Sequence, residues 1–198
     1  MSLLTEKAPL SVEIGGQYYE IDADFRNCIR FEQLMFDPQV PEDLRGVLAL
    51  NLFYPEIPPD LPEAINKILW VYSATQEDNR KAPNSGRQKR IYSLEHDADY
   101  IFAAFMADYG IDLNEIEFLH WWKFRALFSG LKPDNLICKI MEYRAADLSK
   151  LKGEQKKFYQ QMQKQYALPI PQAEQEKCDA IAELLMQGGD VSAIIKKQ

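Results

Sequence analysis

His96-Asp97 is the first place in this sequence where adjacent side chains have the right types for chemistry. Metal-dependent phosphohydrolases hold a divalent ion with such a pair on a helix, since imidazole nitrogen and carboxylate oxygen both ligate it well. That chemistry needs a further histidine upstream and an aspartate far downstream. The chain has two histidines, and the other, His120, lies downstream. The order is wrong, and a plainer reading is available. Glu95, Asp97 and Asp99 belong to the first turn of a helix, where the helix dipole favours carboxylates. No Ser/His/Asp or Cys/His arrangement is visible either. The three cysteines, Cys28, Cys138 and Cys178, stand more than ten positions apart and form neither a disulfide framework nor a zinc spacing. Gly15-Gly16-Gln17 spells the motif of peptide-release factors, but a tight turn accounts for both glycines. The sequence therefore leads us to expect no catalytic residue, no metal ligand, no cofactor and no enzymatic activity.

The stretch His120-Trp121-Trp122-Lys123-Phe124-Arg125 offers recognition rather than catalysis. Neighbouring residues on a helix point about 100° apart, so two adjacent tryptophans are both half-buried only at the rim of a groove. On that reading Trp121 is the more exposed of the two, and it forms a partner platform with Lys123 and Arg125. The simpler alternative is core packing with the two cations snorkelling to water. A second candidate surface is the thin apolar stripe Phe158, Tyr159 and Met162 on an otherwise polar helix. The run Arg80, Lys81, Arg87, Lys89 and Arg90 could touch phosphate. Without interleaved aromatics or a glycine cradle, it reads as a solvated segment.

Composition narrows the partners. The 198 residues are 46% hydrophobic, enough for a substantial core, and the formal net charge is −7. An acidic domain of this kind disfavours nucleic acid and anionic membrane as partners, because both require a positive field. Nothing near the first residues resembles a signal peptide, and no apolar run approaches the ~20 residues that span a bilayer. These features, with free thiols, fit a cytoplasmic protein.

The elements that must position these residues follow from periodicity. Ser11 to Ile14 and Gln17 to Asp22 alternate around Gly15-Gly16 and predict a β-hairpin. From Asp24 the period becomes helical, carried by Phe25, Ile29, Phe31, Leu34 and Met35 up to Asp37-Pro38. Pro41 starts a helix whose apolar face is read as Leu44, Val47, Leu48 and Leu52. A third carries Ile65, Ile68, Leu69 and Tyr72. Further helices are predicted from Glu95 to Tyr109, from Leu113 to Ser129 with an Asp112 cap, after Pro133-Asp134, and from Gln155 to Tyr166. Ala173 to Met186 reads as a last amphipathic segment. The expected fold is mainly α: a bundle of about six to eight helices with a small N-terminal β-hairpin. One helical domain is expected over residues 1–168, interrupted by a polar loop at about 73–93, with a C-terminal helical extension over 169–198. Gln76 to Lys89 has almost nothing apolar to bury and is expected to be the least ordered internal segment. The expected core includes Phe105, Leu119, Trp122, Phe124 and Phe128.

Several segments together resemble a known family. They are Leu4-Thr5-Glu6-Lys7, Asp24-Phe25-Arg26, His96 to Phe105, Tyr109-Gly110-Ile111-Asp112-Leu113, Leu119 to Phe128, Ile140-Met141-Glu142-Tyr143-Arg144 and Glu154 to Tyr159. Over residues 3 to about 168 the chain is similar to the gene-product-fifteen family of tailed-phage proteins, found in phages and prophages of Gram-positive bacteria. Family members are encoded near tail-tube and tape-measure genes, where long-tailed phages encode tail assembly chaperones. The resemblance implies a non-catalytic tail-assembly protein of the host bacterial cytoplasm. Its partner would be a phage tail protein, the tape measure or tail tube. A structural tail or neck component is the alternative, and a metal-dependent phosphohydrolase a more distant one.

Overall fold

The computed structural model describes residues 3–73 and 90–169. The expected disorder of Gln76 to Lys89 and the expected helix from Ala173 to Met186 lie outside those residues. The described chain as far as Ala167 forms one compact unit. It holds a two-stranded hairpin, β1 (Ser11–Ile14) and β2 (Gln17–Glu20), and seven helices. These are α1 (Phe25–Phe36), α2 (Glu42–Phe53), α3 (Leu61–Ser73), α4 (Ala98–Tyr109), α5 (Trp121–Ser129), α6 (Leu136–Ala145) and α7 (Gly153–Gln165). The mainly helical class and the hairpin are as the sequence predicts.

Gly15 and Gly16 turn the hairpin with φ of 57° and 80°, the left-handed pair that a two-residue turn requires. Strict antiparallel register pairs Val12 with Tyr19 and Ile14 with Gln17. Val12 and Ile14 face the core, and the Gly15 N–H donates to Glu63 on α3 at 3.2 Å. That anchorage supplies what an isolated two-stranded ribbon lacks. Asp24 then caps α1, accepting from the Arg26 N–H at 2.9 Å.

The centre is an aromatic stack on Phe124. Phe25, Phe105 and Trp121 lie nearly parallel to it at 4.9, 5.1 and 5.6 Å, so α1, α4 and α5 meet there. Phe105, Leu119, Trp122 and Phe124 are buried as expected, with Phe128 partly so.

Three local expectations are corrected. First, the segment after Asp112 is not a helix through to Ser129. Asp112 does cap, accepting from Asn114 and Glu115 N–H groups at 2.8 and 3.2 Å, but only a turn follows. The chain then extends so that residues 119–121 bond to 23–25: Phe25 N–H to Leu119 C=O at 2.9 Å and Trp121 N–H to Ala23 C=O at 2.8 Å. The Oδ2 of Asp24 accepts from the Leu119 N–H at 3.0 Å and from Arg26 Nη1 at 3.3 Å. Long-range backbone pairing overrides helical phase here, and Trp122 shares no helix face with Leu119. Second, α4 begins at Ala98 rather than Glu95, because Asp97 is drawn out of the first turn by a buried partner described below. Third, α2 buries Ala49, Leu50 and Phe53, leaving Leu44, Val47 and Leu48 exposed. This helix is apolar on most sides, so periodicity does not set its phase. Tertiary packing does, turning Ala49, Leu50 and Phe53 into the core.

Candidate partner-binding surfaces

Trp121 does not line a groove rim. It is as buried as Trp122, at 4% exposure each, which corrects the expectation that it is the more accessible. The physical reason lies on α3. The Trp122 indole N–H donates to the Val71 carbonyl at 2.7 Å and the Trp121 indole N–H to the Tyr72 carbonyl at 2.8 Å. Arg125 Nη1 donates to the Ser73 carbonyl at 3.0 Å, and the Ser73 hydroxyl to Trp70 C=O at 3.2 Å. Adjacent tryptophans pointing about 100° apart thus reach adjacent carbonyls on another helix. The rings are held by neighbours too: Trp121 stacks on Tyr72 at 5.7 Å, and Trp122 meets Trp70 edge-on at 5.1 Å. Of the first candidate set, Lys123 is exposed and Arg125 half-buried over the Trp121 ring, 5.9 Å from its centroid. The three residues are neighbours in space, but Trp121 is structural.

The second candidate set remains at the surface. Helix α7 buries no residue, and Phe158 is 47% exposed. Phe158 and Tyr159 each meet Tyr143 of α6 edge-on at 5.8 Å. The Tyr159 hydroxyl donates to Glu142 at 2.8 Å, which pushes its pKa up by favouring the protonated phenol. Gln163 clamps α7 to α6 through the carbonyls of Tyr143 and Ala146, both at 2.8 Å. Met162 is half-buried along the same side.

Of the residues that looked chemically capable, His96 is exposed, while Asp97, His120 and Cys28 are held by the fold. Asp97 forms a fork-to-fork ion pair with Arg144, at 2.6 and 2.9 Å, and also accepts from the Ser93 N–H at 2.9 Å. Both partners are buried. Arg144 donates further to Ile91 C=O at 3.1 Å and Tyr166 C=O at 2.6 Å. One guanidinium thereby joins α6 to the starts and ends of its neighbours. His120 caps α5, its Nδ1 accepting from the Trp122 N–H at 3.1 Å, while Nε2 faces the Pro9 carbonyl at 3.0 Å. Burial holds its imidazole below the ordinary pKa and so keeps it neutral. Burial likewise pushes the Cys28 thiol up, away from nucleophilic thiolate. Among the described residues, no three His, Cys, Asp or Glu side chains come together as a metal site. A cleft of about 380 Å³ lies beside this region, lined by aromatic rings with Glu32 and Arg125 at its wall. There Glu32 accepts from the Tyr72 hydroxyl at 2.9 Å.

Sequence reasoning passed over two features. Arg144 was legible only as part of a helix, since its partner stands 47 positions away. The exposed stripe Leu44, Val47 and Leu48 was assigned to the core.

Among the described residues, no helix is long and apolar enough to cross a membrane. No curated protein and no solved structure matches the chain. A family model described as "Bacteriophage Gp15 protein" matches residues 4–168, which takes in the hairpin and all seven helices described above. On that match the chain belongs to the bacteriophage Gp15 protein family.

Proposed function

We propose that this phage protein is a non-catalytic, chaperone-like helper of tail assembly. It would act in the host cytoplasm and bind apolar helical segments of a tail protein such as the tape measure. Family membership supports a phage role. The observation that carries the non-catalytic part is the engagement of Asp97 by Arg144 and of His120 by Pro9 and Trp122. Side chains fixed in this way hold the fold and are not presented to a substrate. For binding, α7 offers Phe158 with Tyr159 and Met162 beside it, an apolar stripe on a polar helix of the kind that docks against another helix.

The test is co-expression with the tape-measure protein of the same phage or prophage, followed by co-purification and a solubility assay. A complex with raised tape-measure solubility is the expected result. Unchanged solubility with no complex overturns the chaperone reading. Mass spectrometry of purified particles addresses the alternative, a structural tail or neck component. A helper is absent from the virion, whereas stoichiometric presence would make it a structural part.

A further inference from the structure

We infer that the outer edge of β1 takes up an extended segment of another polypeptide, which joins the hairpin as a third strand in the groove between β1 and α3. The phase of the ladder is the starting point. The Ile21 N–H donates to the Leu10 carbonyl at 3.0 Å, and the register pairs Val12 with Tyr19 and Ile14 with Gln17. Bonded and unbonded pairs alternate along an antiparallel ladder, so Leu10, Val12 and Ile14 turn their N–H and C=O groups to β2. Ser11 and Glu13 turn theirs the other way. Among the described residues the sheet ends there, at two strands, and no turn or loop backbone bonds to those four groups. The opposite edge is different. Asp22, in phase with the outward groups of β2, donates to the Phe53 carbonyl at 2.7 Å, so the end of α2 closes it.

The open backbone identifies the occupant. Donors and acceptors that repeat every second residue are met by another extended backbone, whereas a helix has already bonded its own groups internally. An exposed strand edge is a template for that pairing. Beside this one lies a groove of about 540 Å³, with Ser11, Val12 and Glu13 on one wall and Asn66, Lys67 and Trp70 of α3 on the other. An added strand continues the pleat of β1, in which Val12 and Ile14 face inward and Ser11 and Glu13 outward. Its inward side chains come beside Val12, within reach of the half-buried Trp70 ring that Trp122 holds edge-on at 5.1 Å. The occupant is therefore a strand that alternates apolar with polar residues. A second copy of this chain is disfavoured, because its β1 would bring another Glu13 into a groove that already holds Glu13 and Glu63. This face is separate from α7, and the inference does not rest on the assembly role.

Amide hydrogen exchange of the full chain tests the edge, and labelled synthetic peptides followed by fluorescence anisotropy test the occupant. In the free protein the Ser11 and Glu13 amides should exchange at least about tenfold faster than those of Val12 and Ile14. A short peptide alternating valine with threonine and lysine should bind, and should slow the Ser11 and Glu13 amides at least about tenfold. Methylating the peptide's backbone amides along one edge should abolish binding, and along the other should leave it, since an added strand bonds to β1 through one edge. The same residues rearranged to a helical period should bind at least about tenfold more weakly. Ser11→Pro removes an outward N–H at the first position of an edge strand, where proline is tolerated. It should weaken peptide binding about tenfold and leave the thermal transition in place. Protection of Ser11 and Glu13 in the free chain overturns the inference: protection lost on dilution gives the edge to a second copy, and protection that persists gives it to the chain itself. Failure of the alternating peptide to bind overturns it as well, as does equal binding of the rearranged peptide. Undiminished binding of both methylated peptides does the same, and that comparison needs no variant to fold.

Discussion

The indole N–H of Trp122 donates to the carbonyl of Val71 at 2.7 Å, across 51 positions of sequence. With both tryptophans buried, Trp122→Ala should cost about 3–5 kcal/mol, and Trp121→Ala a similar amount. Trp122→Phe retains most of the packing but leaves the Val71 carbonyl without its indole donor, at about 1–3 kcal/mol. Urea unfolding measures all three. A loss under about 1 kcal/mol for Trp121→Ala would restore it to the surface.

Arg144→Met should destabilise by about 3–5 kcal/mol, because it strands the buried Asp97 carboxylate. Adding Asp97→Leu should recover part of that loss, since the uncompensated charge goes with it. Strict additivity of the two substitutions in denaturation would show that the pair is not coupled.

Acid should weaken the fold partly through His120. Its folded pKa is depressed by burial, while in the unfolded chain the ring titrates near 6.5. Below that pH the unfolded state takes up a proton that the folded state resists. Stability therefore falls with pH through this group, at up to about 1.4 kcal/mol per unit, and is unaffected by it above the window. His120→Asn should be less stable at neutral pH yet show a shallower decline from pH 7 to pH 5. Parallel stability curves for the two proteins would rule His120 out as the source.

Gly110 ends α4 in the left-handed region, at φ 63°, with nothing within 4 Å of where a Cβ would stand. Gly110→Ala should therefore cost about 1–2 kcal/mol from backbone conformation alone. Gly110→Asn should cost less, since asparagine tolerates that region. Equal melting temperatures for wild type and the alanine variant would contradict the assignment.

Phe158→Ser should change stability by no more than about 0.5 kcal/mol, as expected for a half-exposed side chain. In the co-purification assay it should reduce capture of the tail protein. Full capture would move the binding surface away from α7.

By itself the sequence determined the elements whose causes are local. Gly15-Gly16 dictates a tight turn, Asp24 marks the change from alternating to helical period, and Gly110 stops α4. It also placed Phe105 and Phe124 in the core, because large aromatics at helical spacing leave water wherever the helix packs. The tertiary structure alone decided what depends on distant partners. Residues 119–121 left the helical path to pair with 23–25, and Trp121 was buried by carbonyls of α3. The phase of α2, apolar on most sides, was set by the packing of Ala49, Leu50 and Phe53 into the core. Periodicity reports only how a helix could face. Which face is covered is settled by backbone hydrogen bonds and close contacts between segments far apart in the chain. The same competition turned Leu44, Val47 and Leu48 from expected core into exposed surface.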